Sequence, residues 1–159
     1  MIVLTLPIPI SSNDYWGQRQ VWSPKQGRHI SMVYVTPEAR EYKDSVAWYV
    51  RSVGIRAPLA GRVWVDIKLY PNRPQDWAKR AAKDPACWDD TVRRPDLDNC
   101  RKVLYDALKG SAFGDDVLVF KDSGEVQEPD EWGARVVVTI RSIVRKSPQQ
   151  ALITEVSDV

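Results

Sequence analysis

A chain of 159 residues, 43% hydrophobic and 28% charged, is long enough for one domain with its own apolar core and too short for two ordinary ones. That composition excludes both a disordered chain and a membrane-embedded one, and a net charge of +2 identifies no partner. With only two cysteines, Cys87 and Cys100, and a single histidine, His29, a thiolate zinc site is excluded, so any resident metal must be a hard ion held by carboxylates, magnesium or manganese.

Residues 2–8 alternate and are β-branched, which predicts a strand ended by Pro9 and the polar SSND turn. No run is apolar enough to cross a bilayer, and the opening MIVLTLPIPI lacks the charged start and cleavage site of a secretory leader. A cytoplasmic protein with reduced thiols is expected. Tyr15 to Val35 mixes Trp16, Trp22 and Tyr34 with Arg19, Lys25, Arg28 and His29 and is expected to be a long loop. Its aromatics and bases suit stacking on nucleobases or gripping phosphates, although aromatics also pin loops to cores.

Thr36-Pro37-Glu38 predicts a helix start, with Thr36 as cap and Pro37 in the first helical position. Ala39, Tyr42, Val46, Tyr49, Val50 and Val53 then recur at helical spacing until Gly54. Gly61–Tyr70 alternates as a half-buried strand. The charged, Pro- and Trp-rich stretch 72–94 is expected to be a surface insertion with a short helix at Trp77–Lys83. Pro95–Lys109 is a second helix, stopped by Gly110. Phe113–Asp116 is a turn, Val117–Phe120 a short apolar run, 121–131 an acidic turn, and Ala134–Val144 a strand. One domain over 1–145 is expected, an α/β (α+β) fold with a small mixed β-sheet and two main helices, followed by a loose tail from 146 to 159.

Charge is segregated along the chain: residues 1–72 hold nine Lys or Arg against five Asp or Glu, whereas KDSGEVQEPDE at 121–131 holds one against five. One end would therefore suit phosphates and the other would not, although uneven surface charge is ordinary in proteins.

Metal-assisted phosphodiester hydrolysis needs several anionic oxygens close together, and the stretch 96–116 offers the one concentration of them. Asp96 and Asp98 would point roughly 200° apart on a regular helix. They converge only if the backbone at Asp96 is still extended, where i and i+2 share a face. Asp116 is the third candidate, returned toward the helix start as the chain doubles back. Lys102, one turn beyond Asp98, can neutralise charge on a phosphate. Each feature also has a purely structural explanation: capping, an i,i+4 ion pair, and common turn chemistry. From the residues alone both stand.

The run RRPDLDNCRKVLYDAL followed by FGDDVLV resembles the signature of the RusA-type Holliday-junction resolvases, a family common in prophages. LPIPISSNDYW and the segment from Arg28-His29 to EAREYKDSV are similar to that family's opening strand, next loop and first helix. The resemblance covers most of residues 2–140. It implies a homodimeric, magnesium-dependent endodeoxyribonuclease, with manganese as a possible substitute, that resolves branched DNA, the four-way junction, by paired nicks. On the matching positions it implies Asp96, Asp98 and Asp116 as metal ligands and Lys102 as the catalytic lysine. Asn13, Arg28, Arg93, Arg94 and Lys102 would contact DNA, and Asn99 and Asp106 are motif positions without an assigned role.

Two departures stand out: residues 72–90 are longer than in short members, and the turn before Asp116 is one residue shorter than in some. Alternatives are a nuclease for flaps or forks and a protein that binds branched DNA without cutting it. Pure binding gains nothing from carboxylates facing phosphates without a metal.

Overall fold

Strand β1 (Ile2–Leu6) buries Ile2, Leu4 and Leu6 and exposes the residues between them, as expected of a strand packed on one side. The same alternation runs through β4 (Val63–Tyr70) and β6 (Arg135–Ser142). With β5 (Val119–Val126) they form a four-stranded sheet in the order β1-β6-β4-β5. β5 runs parallel to β4 and the other pairs are antiparallel, so the sheet is mixed. These features come from a computed structural model that describes residues 1–144. The tail expected from residue 146 onward lies outside them.

Two helices cover one face of the sheet. In α2 (Pro37–Ser52), Thr36 Oγ1 accepts from the Ala39 N–H at 3.3 Å, and the helix ends where Gly54 takes a φ of 88°, which favours glycine. Its Ala39, Tyr42, Val46 and Val50 meet Cys100, Val103, Leu104, Ala107 and Leu108 of α4 (Leu97–Leu108) and the inward residues of β1, β4 and β6 in a single core. There are two further short helices, α1 (Ser12–Tyr15), which packs on α4 and α2, and α3 (Trp77–Lys83). α3 lies in the surface insertion and buries none of its residues; the insertion is tied down by Trp88, whose indole N–H donates to Glu128 at 2.8 Å.

Two segments differ from expectation. Residues 16–35 are a hairpin rather than a loop: β2 (Trp16–Ser23) and β3 (Arg28–Val35) pair in register from Trp16↔Val35 to Ser23↔Arg28. The turn closes with the Gly27 N–H on the Ser23 carbonyl at 2.9 Å, with Gly27 at a φ of 58°. Apart from Val35 at the root, neither face packs on the core, so the apolar–polar alternation that marks a half-buried strand is missing. The stretch expected to be an acidic turn begins as β5, which runs on to Val126. As an edge strand it tolerates outward charges, and its acids are locally paired: Glu125 with Lys68 at 3.5 Å and Asp122 with Arg101 at 2.9 Å.

Candidate active site

The mouth of α4 is built by one backbone change. Asp96 is extended (φ −66°, ψ 131°) and its carboxylate accepts the Asp98 N–H at 2.9 Å, capping the helix. The transition required for an i,i+2 pair to converge is therefore present. Both side chains are exposed at the positive end of the helix dipole, where anions are favoured. Lys102 Nζ sits 3.0 Å from Asp98 Oδ2, and Arg101 Nη1 lies 3.5 Å from Oδ1. The Lys102 hydrogen bond and charge, supplemented by Arg101, hold the Asp98 carboxyl below the usual carboxylate range.

Arg93, Arg94 and Pro95 lead into this mouth as a ridge between two open clefts. One, of about 560 Å³, is bounded by Asp90, Thr91, Leu97 and Val126; the other, of about 420 Å³, by Pro9, Ile10, Asn99 and Cys100. Arg93, Arg94 and Asp96 line both. Two guanidiniums beside the carboxylates are suited to charge-assisted contacts with a phosphate backbone. Asn99 opens onto the second cleft, and Asn13, on α1, lies beyond it across Ile10. Cys100, buried beneath, has its thiol pushed up to about 11 by burial and the Asp96 charge.

The other expected site residues are not gathered here. Arg28 lies near the hairpin tip, where its Nε donates to Gln26 at 3.1 Å. Asp116 opens a short 3-10 turn (Asp116–Leu118) at the far end of α4, beside Lys109 at 3.7 Å. From Asp96 to Lys109 the helix rises about 20 Å. Asp115, next to it, caps the turn through the Val117 N–H and pairs with Lys109 at 2.8 Å. Its hydrogen bond with Asp116, then that lysine, holds its carboxyl well below the usual range. Among the described residues, no three Asp, Glu, His or Cys side chains come close enough to share a metal ion. Asp96 and Asp98 are a fit pair of hard-oxygen ligands, and no third carboxylate joins them among the described residues.

Three further residues shape the site. Asp106, one turn beyond Lys102, accepts a short hydrogen bond from the buried Tyr15 hydroxyl and pairs with Lys43 at 3.4 Å. It therefore ties α1 and α2 to the helix that carries the site; in the sequence it stood out only as a position of the RusA-like motif, without a role. Asp122 of β5 accepts from the Tyr105 hydroxyl at 3.0 Å and lies 2.9 Å from Arg101 Nε, whose N–H is not directed at it. Gly124 allows this close approach of β5, because a Cβ there would stand 3.1 Å from Arg101 Nη2 and 3.3 Å from Leu97. No pattern in the sequence singled out Asp122 or Gly124.

The family model for the endodeoxyribonuclease RusA matches residues 8–141. The chain belongs to that family. Among the RusA proteins to which it is similar, the crossover junction endodeoxyribonuclease of Escherichia coli strain K12 is 29% identical over 138 residues, 86% of this chain and 91% of that protein. The crossover junction endodeoxyribonucleases of Enterobacteria phage 82 and Shigella sonnei strain Ss046 are each 28% identical with the same coverage. The whole of α4, both arginines and the Asp115-Asp116 turn fall within the RusA match. No helix among the described residues is long and apolar enough to cross a membrane.

Proposed function

We propose that the protein is a metal-dependent, structure-specific endodeoxyribonuclease that cuts four-way DNA junctions as a homodimer. The observation that carries this reading is the meeting of Asp96, Asp98 and Lys102 at the mouth of α4, where Asp96 also lines two clefts shared with Arg93 and Arg94. Magnesium, or manganese in its place, supplies a more acidic water and a counter-charge for the phosphate when bound.

The chain's own residues do the rest. Asp96 and Asp98 hold the ion, and Arg93 and Arg94 grip the backbone beside the scissile phosphate. Lys102 neutralises Asp98 in the free protein. It is 58% exposed, so it can swing to a phosphate oxygen as charge develops there. Asp116 is too far along α4 to join them in one protomer, so the third carboxylate is assigned to a second copy. In a two-fold dimer each copy then completes the other's site, which ties cutting to pairing and suits a substrate with two opposed strands.

The test is cleavage of a mobile four-way junction beside flap, fork and linear duplexes, with and without magnesium, by the wild type and Asp98→Asn. Paired, metal-dependent nicks on the junction, lost in the variant while binding persists, are expected. Preferential cutting of flaps or forks would move the substrate. Tight binding without cleavage in either metal would replace the nuclease by a binding module.

A further inference from the structure

The β2–β3 hairpin has no part in the chemistry above, yet it forms a two-stranded sheet of its own, separate from the main sheet. None of the residues from Trp16 to Val35 is buried, and eight residues per strand give a reach of about 27 Å. The segment holds Arg19, Lys25 and Arg28 and no Asp or Glu. It also exposes Trp22 by 54% and Val33 by 58%. A two-stranded ribbon is marginal by itself, so exposed apolar side chains along it mark a surface that a partner covers.

The pairing register sorts the side chains onto two faces. Gln18, Gln20, Ser31, Val33, Trp22 and His29 share one face; Trp22 and His29 meet edge-on at 5.3 Å. Arg19 and Arg28 lie on the other face, and Lys25 is in the tip. The root is clamped rather than hinged: the Thr36 N–H donates to the Tyr15 carbonyl at 3.1 Å, Thr36 Oγ1 to the Asp14 carbonyl at 2.7 Å, and the Tyr15 hydroxyl to Asp106. The arm is thereby oriented by the helix that carries Asp98 and Lys102.

We propose that this arm lies in the major groove of a duplex flanking the cut site, an inference that rests on the DNA-nuclease reading above. The major groove, about 12 Å wide, admits a two-stranded ribbon, and a reach of about 27 Å follows it for about eight base-pair steps. Gln18, Gln20 and Ser31 face base edges, to which glutamine donates and accepts in pairs, with Val33 suited to thymine methyls. Arg19 and Arg28 reach round to the groove walls, and Lys25 meets a phosphate at the tip. A second copy's arm is disfavoured as the occupant, since both carry the same positive charge.

The experiment measures junction affinity of the full chain across a salt series, for the wild type, R19A/K25A/R28A and Q18A/Q20A, with dimethyl sulfate probing of guanine N7 in the major groove. All five side chains are exposed, so the variants keep the fold. For the triple variant, the log–log salt slope should be shallower by about 2.7, at about 0.9 per phosphate, with affinity falling on the order of 100-fold at physiological salt. Q18A/Q20A should lose N7 protection on the flanking duplex while keeping the wild-type slope. A wild type that binds, with variants matching it in slope and footprint, overturns the arm's role alone. A triple variant that becomes monomeric by light scattering overturns it in favour of a copy-to-copy contact. A wild type that binds no DNA overturns it together with the nuclease reading.

Discussion

If Asp116 serves the site of a second copy, two inactive variants should rescue one another. Asp98→Asn and Asp116→Asn are each expected to lose cleavage by at least about 100-fold, the scale of removing one charge-stabilising group. Along α4, Asp98 and the Lys109 that Asp116 contacts are separated by about 17 Å, eleven helical rises, and the Lys109 contacts hold Asp116 at the far end, so side-chain rotation cannot close the gap. After denaturation and refolding together at equal concentration, about half of the dimers carry one copy of each variant. In such a dimer one site has lost both residues and the other has lost neither. The mixture should therefore nick a junction on one strand, giving nicked product in place of paired resolution. Each variant refolded alone should give none. A mixture as inert as its parents would refute assembly across the dimer, and an Asp116→Asn variant with full activity would remove Asp116 from the site.

Lys102→Met should lower cleavage at saturating junction by about 100-fold or more while binding changes far less, because Arg93 and Arg94 remain; quench-flow and anisotropy separate the two. Gly124→Val should cost about 1–3 kcal/mol through overpacking against Leu97 and Arg101, read as a lower urea midpoint. Stability should fall at both ends of the pH range, in acid through carboxylates and in alkali through a buried thiol. Asp98, Asp115 and Asp130 have depressed pKa values, from Lys102, from Asp116 with Lys109, and from Arg135 respectively, so their contribution is present above the ordinary value of 3.8 and is lost as pH falls through the depressed ones. Cys100 is raised from 9.0 to about 11, so its contribution is present below 9.0 and is lost as pH rises through about 11. Native thiol titration at neutral pH should count one cysteine, the exposed Cys87.

Helix α2 and the start of α4 were legible because their signals are local: Thr36-Pro37 at one, an aspartate held extended before a helical run at the other. The ribbon was not, since strands wet on both faces carry no apolar alternation. The separation of Asp116 was illegible for a different reason. The chain does double back along α4, but the 3-10 turn keeps Asp116 beside Lys109, and by the level of Arg101 the residue on β5 is Asp122. Which carboxylate is returned depends on how many residues the turn consumes, and composition does not reveal that.

The spacing within α4 explains why these roles share one helix. Asp98, Lys102 and Asp106 stand at i,i+4 intervals and so form one row: the first two pair with each other, and the third anchors Tyr15 and Lys43. Arg101 and Tyr105 form the neighbouring row and hold Asp122 of β5, while Cys100, Val103, Leu104, Ala107 and Leu108 face the core. Rotating the helix would break all three sets together, so Asp96 and Asp98 are positioned before any ion or DNA arrives, which is what a charge-stabilising site requires. Lys102 is the exception, since its ion pair is with exposed Asp98. An incoming cation or phosphate therefore has to rearrange that one pair and can leave the rest of the helix undisturbed.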